Sequence, residues 1–557
     1  YTDGTAFVFY PPYGTKLAEI IIDTTGNDLN LESGISSGSP LVTVSNIQLK
    51  SLTINSAKRI DIGSCTITAD TITNNGTLCL DGSKATPLSA TTLTHDSDST
   101  VEFEGWTSGT AISSTYAGLG LGTSNSFNNL KVTEYGGTTG TDEFKFTSNT
   151  VLKVSKKFES DAKKITTTAS QNFGGVVELK NNDSTLDAGG NGITVNANVT
   201  GSGNVTFESP VTVGADIEIK SSASDEKIKF GSTVTSSNKI TITGNLENTG
   251  TVTSSALVLN GNSGNDATWK ATGAVTADIT IFTGKNIYLQ SALDVTGVVT
   301  NNGTLNVGSG NVVFNGNYIG TGGTLLGNTT TNPTIEFQGS QITFGNFSAN
   351  GDTVKFSGSG AQAFTPNGQT FAEVTVDNST AVVTVSANGT MISSNLTVEN
   401  GTFNAGNATS ITVTGNLTNS ATGIFDGQTS TVTLKGNLTN ASGGSFTSPS
   451  TLVITGTTST EIIGVNNFNN LTVTNTDTSN QKTVVFPSND RTTPGSGINI
   501  SGNFTVYDSN GSADKTIKLI SNQPLSETDT DWWWLENVSG NVNVKNAEIG
   551  NAYSAYD

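Results

Sequence analysis

The chain has 557 residues and a net charge of −20, and only 33% of its residues are hydrophobic and 13% charged. Nucleic acids and anionic lipid surfaces bind proteins through Lys and Arg, so neither is an expected partner of this acidic chain. A single His and two Cys exclude most haem, zinc and His-based catalytic sites. The sequence contains no run of 18 apolar residues, the length that a membrane-spanning helix needs, so no membrane-spanning segment is expected.

The first 50 residues contain an apolar strand-like run that ends at Pro11-Pro12. We interpret residues 1–50 as a cap over one end of the fold. The alternative is a strand that pairs with a second subunit by β-augmentation. The residues of this subunit-pairing candidate are Ala6, Phe7, Val8, Phe9 and Tyr10.

Residues 51–480 form the predicted body, with a loop excursion near residues 104–125. A motif recurs in it: an apolar residue, then Asn-x-Gly, then a second apolar residue, as from Ile72 to Leu78 and from Val299 to Leu305. We expect the glycine to supply the positive φ of a tight corner.

Three further features of the body have ordinary interpretations. By alternation Cys65 faces inward and Cys79 outward, so a disulfide between them is not favoured. His95 lies in a polar loop and is expected to be solvated. The small basic patch is expected to be a solvated face and consists of Lys156, Lys157, Lys163 and Lys164.

The clearest repeat runs from residue 395 to residue 456. The triplet Asn-Leu-Thr recurs at regular intervals, at Asn395, Asn416 and Asn437, and a phenylalanine follows each copy. Residues alternate between apolar and polar, which indicates strands, and units this short must stack to bury their apolar faces. We therefore predict an all-β parallel β-helix, or β-solenoid, with coils of about 20 residues. The predicted ladder residues are Asn395, Asn416, Asn437, Phe403, Phe425 and Phe446.

Residues 481–557 are predicted to be terminal coils with longer loops. In the stretch DSNGSAD, oxygen-bearing side chains occupy every second position, which suits Ca²⁺. The candidate ligands are Asp508, Asn510, Ser512 and Asp514, and a plain polar turn is the favoured alternative. No other cofactor is expected.

Three consecutive tryptophans follow a stretch of alternating acidic residues. Aromatic rings beside carboxylates can stack on sugars, which makes Trp532 and Trp534 candidate glycan contacts. Alternation along a strand would expose this pair and bury Trp533, or the reverse. The competing interpretation is that at least one ring belongs to the core or to an end cap.

Phrases such as GSGNVTF, ITVTGNLTN and FNNLTVTN resemble those of large repeat-rich surface proteins of bacteria. These include adhesins similar to filamentous haemagglutinin and to autotransporter passengers, and the resemblance covers most of residues 180–545. It implies a right-handed parallel β-helix that is secreted and displayed at the cell surface. No autotransporter translocation barrel is visible in the sequence, and the resemblance does not identify a ligand.

These observations predict an extracellular structural protein, a building block of a surface filament or sheath that assembles end to end by strand pairing. The first alternative is a monomeric adhesin or stalk that binds glycans or host surfaces. The second is a β-helical polysaccharide lyase or hydrolase, which needs clustered ionisable residues. Residues 390–456 carry almost none, so we predict that the protein is not an enzyme.

Overall fold

The structure is a computed structural model of the chain. The structure describes residues 20–22, 29–30, 46–62, 66–82, 88–104, 111–113, 127–133, 143–147, 151–222, 225–261, 266–407, 409–476, 480–488, 497–508, 517–523, 532–550 and 552–554. Within these ranges all regular secondary structure is β-strand and there is no helix. The chain forms two compact units, Tyr1–Ala277 and Asp278–Asp557.

The first unit consists of short strands that pair in parallel with strands one coil further along the chain. Its strands are β1 (Ile20–Ile22), β2 (Leu29–Asn30), β3 (Asn46–Ile54), β4 (Arg59–Asp61), β5 (Thr66–Asn74), β6 (Thr77–Asp81), β7 (Leu88–His95), β8 (Thr100–Glu104), β9 (Ala111–Ser113), β10 (Phe127–Thr133), β11 (Glu143–Thr147), β12 (Leu152–Ser160), β13 (Lys164–Thr167), β14 (Gln171–Phe173), β15 (Val176–Leu179), β16 (Asp183–Asp187), β17 (Ile193–Val195), β18 (Val199–Gly201), β19 (Asn204–Phe207), β20 (Val211–Val213), β21 (Ile217–Ser221), β22 (Lys227–Phe230), β23 (Val234–Ser236), β24 (Lys239–Thr243), β25 (Asn245–Asn248), β26 (Val252–Asn260) and β27 (Asp266–Ala271).

Three parallel sheets of the first unit recur coil after coil. One sheet follows the series β11, β13, β16, β19, β22, β25 and β27, and it begins at β9. Strand β9 lies inside the loop predicted near residues 104–125 and pairs with β11. A second series runs through β15, β18, β21 and β24, and a third through β14, β17, β20 and β23.

The second unit repeats this arrangement, and β28 (Val275–Ile281) spans the boundary between the units. Its remaining strands are β29 (Asn286–Leu289), β30 (Leu293–Val295), β31 (Val299–Asn301), β32 (Thr304–Asn306), β33 (Val312–Phe314), β34 (Tyr318–Ile319), β35 (Thr324–Leu326), β36 (Thr334–Phe337), β37 (Gln341–Thr343), β38 (Asn346–Ser348), β39 (Thr353–Phe356), β40 (Gln362–Thr365), β41 (Thr370–Val385), β42 (Thr390–Asn404), β43 (Ser410–Val413), β44 (Leu417–Asp426), β45 (Thr431–Leu434), β46 (Leu438–Asn440), β47 (Ser445–Thr447), β48 (Thr451–Ile454), β49 (Thr460–Ile463), β50 (Asn467–Phe468), β51 (Asn470–Asn475), β52 (Thr483–Phe486), β53 (Ile498–Ile500), β54 (Phe504–Asp508), β55 (Ile517–Ser521), β56 (Trp533–Val538), β57 (Val542–Val544), β58 (Ala547–Ile549) and β59 (Ala552–Ser554).

Each coil of the second unit contributes three strand segments, for example β45, β46 and β47. Ser410 pairs with Thr431, and Thr431 pairs in turn with Thr451. These steps match the predicted coil of about 20 residues. Near the end of the chain the intervals grow, because Leu471 pairs with Phe504 and Phe504 with Val542. The parallel β-solenoid and its coil length are therefore confirmed, whereas its handedness stays a prediction.

The core of the second unit is a set of apolar columns, one residue per coil. Ile411, Val432, Leu452 and Leu471 are successive partners in one column, and each is at most 1% exposed. The first unit has equivalent columns. Burying one such side chain contributes about 1.5–3 kcal/mol, so the stacking of many coils stabilises a core that is only one side chain thick.

The glycines of the Asn-x-Gly corners do not have the conformation predicted from the sequence. Gly76, Gly250 and Gly303 have no positive φ. A Cβ atom on Gly303 would instead lie 2.3 Å from the carbonyl oxygen of Lys285 and 2.4 Å from that of Phe282. The prediction of positive φ was wrong: these positions need glycine because the backbones of neighbouring coils approach closely at the corner.

Candidate functional site

The predicted asparagine ladder lies on the outside of the second unit and connects coils through the backbone. The amide N–H of Asn416 donates to Oδ1 of Asn395 at 2.8 Å, and the N–H of Asn437 donates to Oδ1 of Asn416 at 2.9 Å. The N–H of Glu461 continues the series by donating to Asn437 at 2.9 Å. Each side chain thus satisfies a corner N–H of the next coil, rather than bonding amide to amide.

The predicted phenylalanine ladder is a stack of rings inside the same unit. Phe403 and Phe425 stack with centroids 5.8 Å apart, and Phe425 and Phe446 with centroids 5.0 Å apart and an interplanar angle of 11°. Phe403 and Phe425 are fully buried, whereas Phe446 is half-buried. Both ladders hold neighbouring coils in register and offer no chemistry of their own.

A second set of asparagines, which sequence reasoning missed, is buried at the corners. Asn74, Asn248, Asn301 and Asn419 are each 0% exposed. Nδ2 of Asn419 donates to the carbonyl oxygens of Gly423 at 3.1 Å and Ser445 at 2.9 Å, and Trp269 Nε1 donates to Oδ1 of Asn248 at 3.0 Å. The signal was present, because three of the four open an Asn-x-Gly motif.

A charged cluster in the described part of the first unit surrounds Arg59. Its guanidinium group contacts Asp61 at 3.5 Å and Glu102 at 3.3 Å, and it also pairs with Glu104. Lys131 reaches the other oxygen of Glu102 at 2.5 Å. The register explains the cluster, because Asp61, Cys79, Glu102 and Lys131 are successive partners in neighbouring coils.

Two glutamates of this cluster have opposite electrostatic environments. Burial favours a raised pKa for Glu102, but hydrogen bonds from Lys131 and Thr133 and the charges of Lys131 and Arg59 outweigh it and lower the pKa. Burial raises the pKa of Glu104 despite the nearby Arg59. Divergent carboxyl pKa values can mark an acid–base pair, but here both carboxylates are held by cations of the same network.

Cys79 lies beneath this cluster. Leu78 and Leu80 point into the core, so alternation places Cys79 on the outer face, yet its thiol is free and 0% exposed. Donor atoms of Asp61, Cys79 and Glu104 lie within 4.8 Å of one another. Arg59 already compensates the two carboxylates, and burial raises the pKa of Cys79, which makes the thiol a poor nucleophile. Cys65 lies outside the described residues.

All four lysines of the basic patch form ion pairs. Lys156 contacts Asp98 at 2.6 Å, Lys157 contacts Glu159 at 2.9 Å, and Lys164 contacts Asp187 and Glu208 at 2.9 Å. Lys163 is 3.9 Å from Asp183. The patch is therefore a mixed-charge surface, with Lys163 held least tightly.

Trp533 and Trp534 are both buried, at 3% and 6% exposure. Trp533 stacks on Phe486 with centroids 4.7 Å apart, and its Nε1 donates to the carbonyl oxygen of Gly550 at 3.1 Å. Trp534 lies against Gly497, where a Cβ atom would come within 2.8 Å of the indole. The prediction that Trp532 and Trp534 are either both exposed or both buried was wrong, because Trp534 is buried and Trp532 is partly exposed. Of the two candidate glycan contacts, only Trp532 keeps a partly exposed side chain.

Two other predicted sites lie mostly outside the described residues. The subunit-pairing candidate of residues 6–10 is not described, nor are Asn510, Ser512 and Asp514 of the Ca²⁺ candidate. Asp508 lies on β54 opposite Asn475 and is 9% exposed. Both sites stay predictions.

Three titratable groups lie away from these sites: Asp352 and Lys482 are fully buried, and His95 is half-buried. Burial lowers the pKa of His95 to about 4 and that of Lys482 to about 8. Burial raises the pKa of Asp352 to about 6. The ammonium group of Lys482 donates to the carbonyl oxygen of Thr458 at 2.6 Å and to Oγ1 of Thr460 at 2.7 Å. His95 is half-buried rather than fully solvated, because its Nε2 is buried and its ring lies 6.2 Å from that of Phe127.

The last described coil has open strand edges. Strands β57, β58 and β59 pair with β54, β55 and β56, and none of the three has a second partner among the described strands. Val542 and Ile549 continue core columns above Phe504 and Leu519, but they are 55% and 53% exposed. This end thus presents hydrogen-bonding groups and apolar side chains together.

No protein family, curated protein or solved structure matches this chain. The resemblance to bacterial surface proteins is therefore supported only at the level of the β-solenoid. In the described ranges, no helix has the length and apolar character needed to cross a membrane.

Proposed function

We propose that this protein is a structural building block that assembles end to end by strand pairing, as the unit of a filament or sheath outside the cell. The observation that supports the proposal is the parallel strand pairing that joins each coil to the next, as from Ser410 through Thr431 to Thr451. Unpaired strand edges associate readily with other strands. A coil of a second copy would pair with a terminal coil, tested here on β57–β59, in the geometry that already connects the coils of each unit.

The backbone groups available for this pairing can be assigned on β57. The N–H of Phe504 donates to the carbonyl oxygen of Asn541, and the N–H of Lys545 donates to the carbonyl oxygen of Val506. Successive residues of a strand direct their backbone groups to opposite sides. Val542 and Val544 therefore direct their N–H and C=O groups away from β54.

A non-enzymatic role fits the charged residues. The carboxylates around Arg59 are engaged in a network with Arg59 and Lys131. Such a network connects coils in the same way as the asparagine ladder does. We infer that the chain is secreted and acts mechanically, through the stacking of coils.

The test is the length distribution of purified protein, measured by electron microscopy and sedimentation velocity. Val544→Pro removes one N–H from the side of β57 that faces away from β54, and it leaves the bonds between β57 and β54 in place. We expect wild-type protein to form end-to-end assemblies and the variant to remain in single copies. Asn543→Ala, on the outer face of the same strand, is the matched control and should assemble normally. A wild-type protein that stays monomeric at high salt, where repulsion between acidic copies is screened, would refute the proposal.

A further inference from the structure

An open groove of about 380 Å³ lies on the outer face of the first unit. It crosses β16, β19, β22 and β25, and Lys163 lies at one end of it. The groove is lined by Lys163, Asp183, Ser184, Thr185, Asn204, Thr206, Lys227, Lys229 and Glu247. Three of these nine residues are lysines, in a chain whose net charge is −20.

The register of the sheet arranges the lining residues in two parallel columns. Thr185, Thr206, Lys229 and Glu247 are successive partners in one column. Asp183 and Asn204 are partners in the other, which continues to Lys227. Neighbouring strands lie about 4.8 Å apart, so the hydroxyl groups of the two threonines are followed by a cation at the next step of the column.

Asn204 fixes the second column. Its Nδ2 donates to Oδ1 of Asp183 at 2.6 Å, and its Oδ1 accepts the backbone N–H of Lys227 at 2.7 Å. One oxygen of Asp183 is thereby engaged, and the stem of Lys227 starts from a fixed position. The groove is thus held in shape by hydrogen bonds that connect three coils.

The lysines of the groove are incompletely paired. Lys163 is 3.9 Å from Asp183 and Lys227 is 3.6 Å from Glu247, both longer than the 2.7–2.9 Å typical of charge-assisted hydrogen bonds. Lys164, just outside the groove, contacts two carboxylates at 2.9 Å. Lys229 forms no ion pair with any residue that the structure describes. Ammonium donors therefore remain available at Lys163, Lys227 and Lys229.

We propose that this groove binds a linear polysaccharide that carries carboxylates, that is, one containing uronic acid residues. Lys227 and Lys229 bind a carboxylate, and Asn204 and Thr206 hydrogen-bond the hydroxyl groups of adjacent sugars. Along the column, the hydroxyl groups of Thr185 and Thr206 come before the ammonium group of Lys229. This order matches a polymer whose charged groups are separated by neutral sugar hydroxyl groups. Asp183 and Glu247 in the same groove disfavour a polymer with a charge at every short step, such as polyphosphate.

The experiment measures binding of hexagalacturonate to the full chain by isothermal titration calorimetry at low and at physiological salt. Lys227→Gln/Lys229→Gln removes the two adjacent cations. Lys220→Gln/Lys239→Gln is the matched control, because it changes the net charge equally on a different sheet of the same unit. Both double variants change partly or fully exposed side chains, and circular dichroism checks that they fold.

We expect the groove variant to weaken binding about tenfold or more for each lost contact, and the control variant to change it less than twofold. Binding should also weaken as salt rises. Equal loss in both variants would show only general charge attraction and would overturn the proposal, as would the absence of hexagalacturonate binding. Equal binding of uncharged maltohexaose, or tighter binding of polyphosphate at the same groove, would also overturn it.

Discussion

Replacing Gly303 by alanine is expected to separate two coils of the second unit locally. The new Cβ atom would lie 2.3 Å from the carbonyl oxygen of Lys285, a distance that real Cβ atoms essentially never show. Relieving this clash requires one backbone to move away from the other by at least about 0.7 Å, which brings the contact to 3.0 Å. Two backbone hydrogen bonds span this corner, from Asn302 to Ile281 at 2.9 Å and from Thr304 to Lys285 at 2.7 Å. Losing both, together with the packing around them, should cost about 3 kcal/mol.

Gly284 is the matched control, because it has the opposite properties. Its φ is +75°, and a Cβ atom there would have nothing within 4 Å, so Gly284→Ala should cost only about 1–2 kcal/mol of backbone strain. Local stability is measured by hydrogen exchange of the amides of Asn302 and Thr304, because a solenoid need not unfold as one unit. We expect exchange to accelerate roughly a hundredfold in Gly303→Ala and much less in Gly284→Ala. The reverse order would refute close coil approach as the reason for these glycines.

Further predictions concern buried groups. Each is checked by measuring the free energy of unfolding of the variant and the wild type by urea denaturation. Between pH 8 and 10.5 the folded state binds fewer protons at Lys482 than the unfolded state, so the free energy of unfolding should rise by up to about 3 kcal/mol with pH; Lys482→Met should abolish this rise. Asp352 has a raised pKa, so its folded state binds more protons between pH 3.8 and about 6. Stability should therefore fall by up to about 3 kcal/mol as pH rises through this window, but not in Asp352→Asn. Phe425→Ala should lower the free energy of unfolding by about 3–5 kcal/mol. Phe446→Ala should lower it clearly less, because Phe446 is only half-buried; equal losses would show that burial does not determine what each ring contributes. Asn419→Leu should cost about 1–3 kcal/mol, because it leaves the carbonyl oxygens of Gly423 and Ser445 without this donor; an unchanged midpoint would contradict this.

The coil register could be predicted wherever the repeat is regular. The spacing of Asn395, Asn416 and Asn437 determined both the period and the face of every residue between them, because side chains in strands alternate strictly. The observed partners, such as Ile411 with Val432, follow from that spacing alone. The fold class was therefore contained in the sequence, although no known relative matches it.

What could not be predicted depends on contacts between side chains of different coils. Cys79 was placed on the correct face, but its burial follows from long charged side chains that reach it from neighbouring coils. Trp534 is buried because Gly497 leaves space for an indole, and Gly497 belongs to a coil that is longer than the regular repeat. Gly303 was recognised as a corner, but sequence alone does not distinguish a glycine needed for φ from one needed for space.

The groove shows how sensitive surface chemistry is to coil length. A coil of the same length as the one from Asn395 to Asn416 would place Lys227 beside Thr206, whereas the observed partner of Thr206 is Lys229. The next coil is shorter, and it brings Glu247 beside Lys229. A small even change in coil length keeps every side chain on its face but moves the column by one outward position. Apolar columns tolerate such a shift because most core positions are similar. A binding groove does not tolerate such a shift, because the order of its hydroxyl, amide and ammonium groups determines which ligand it binds. The fold can therefore be predicted from the sequence even though the coil length varies. The same variation determines which ligands the surface can bind.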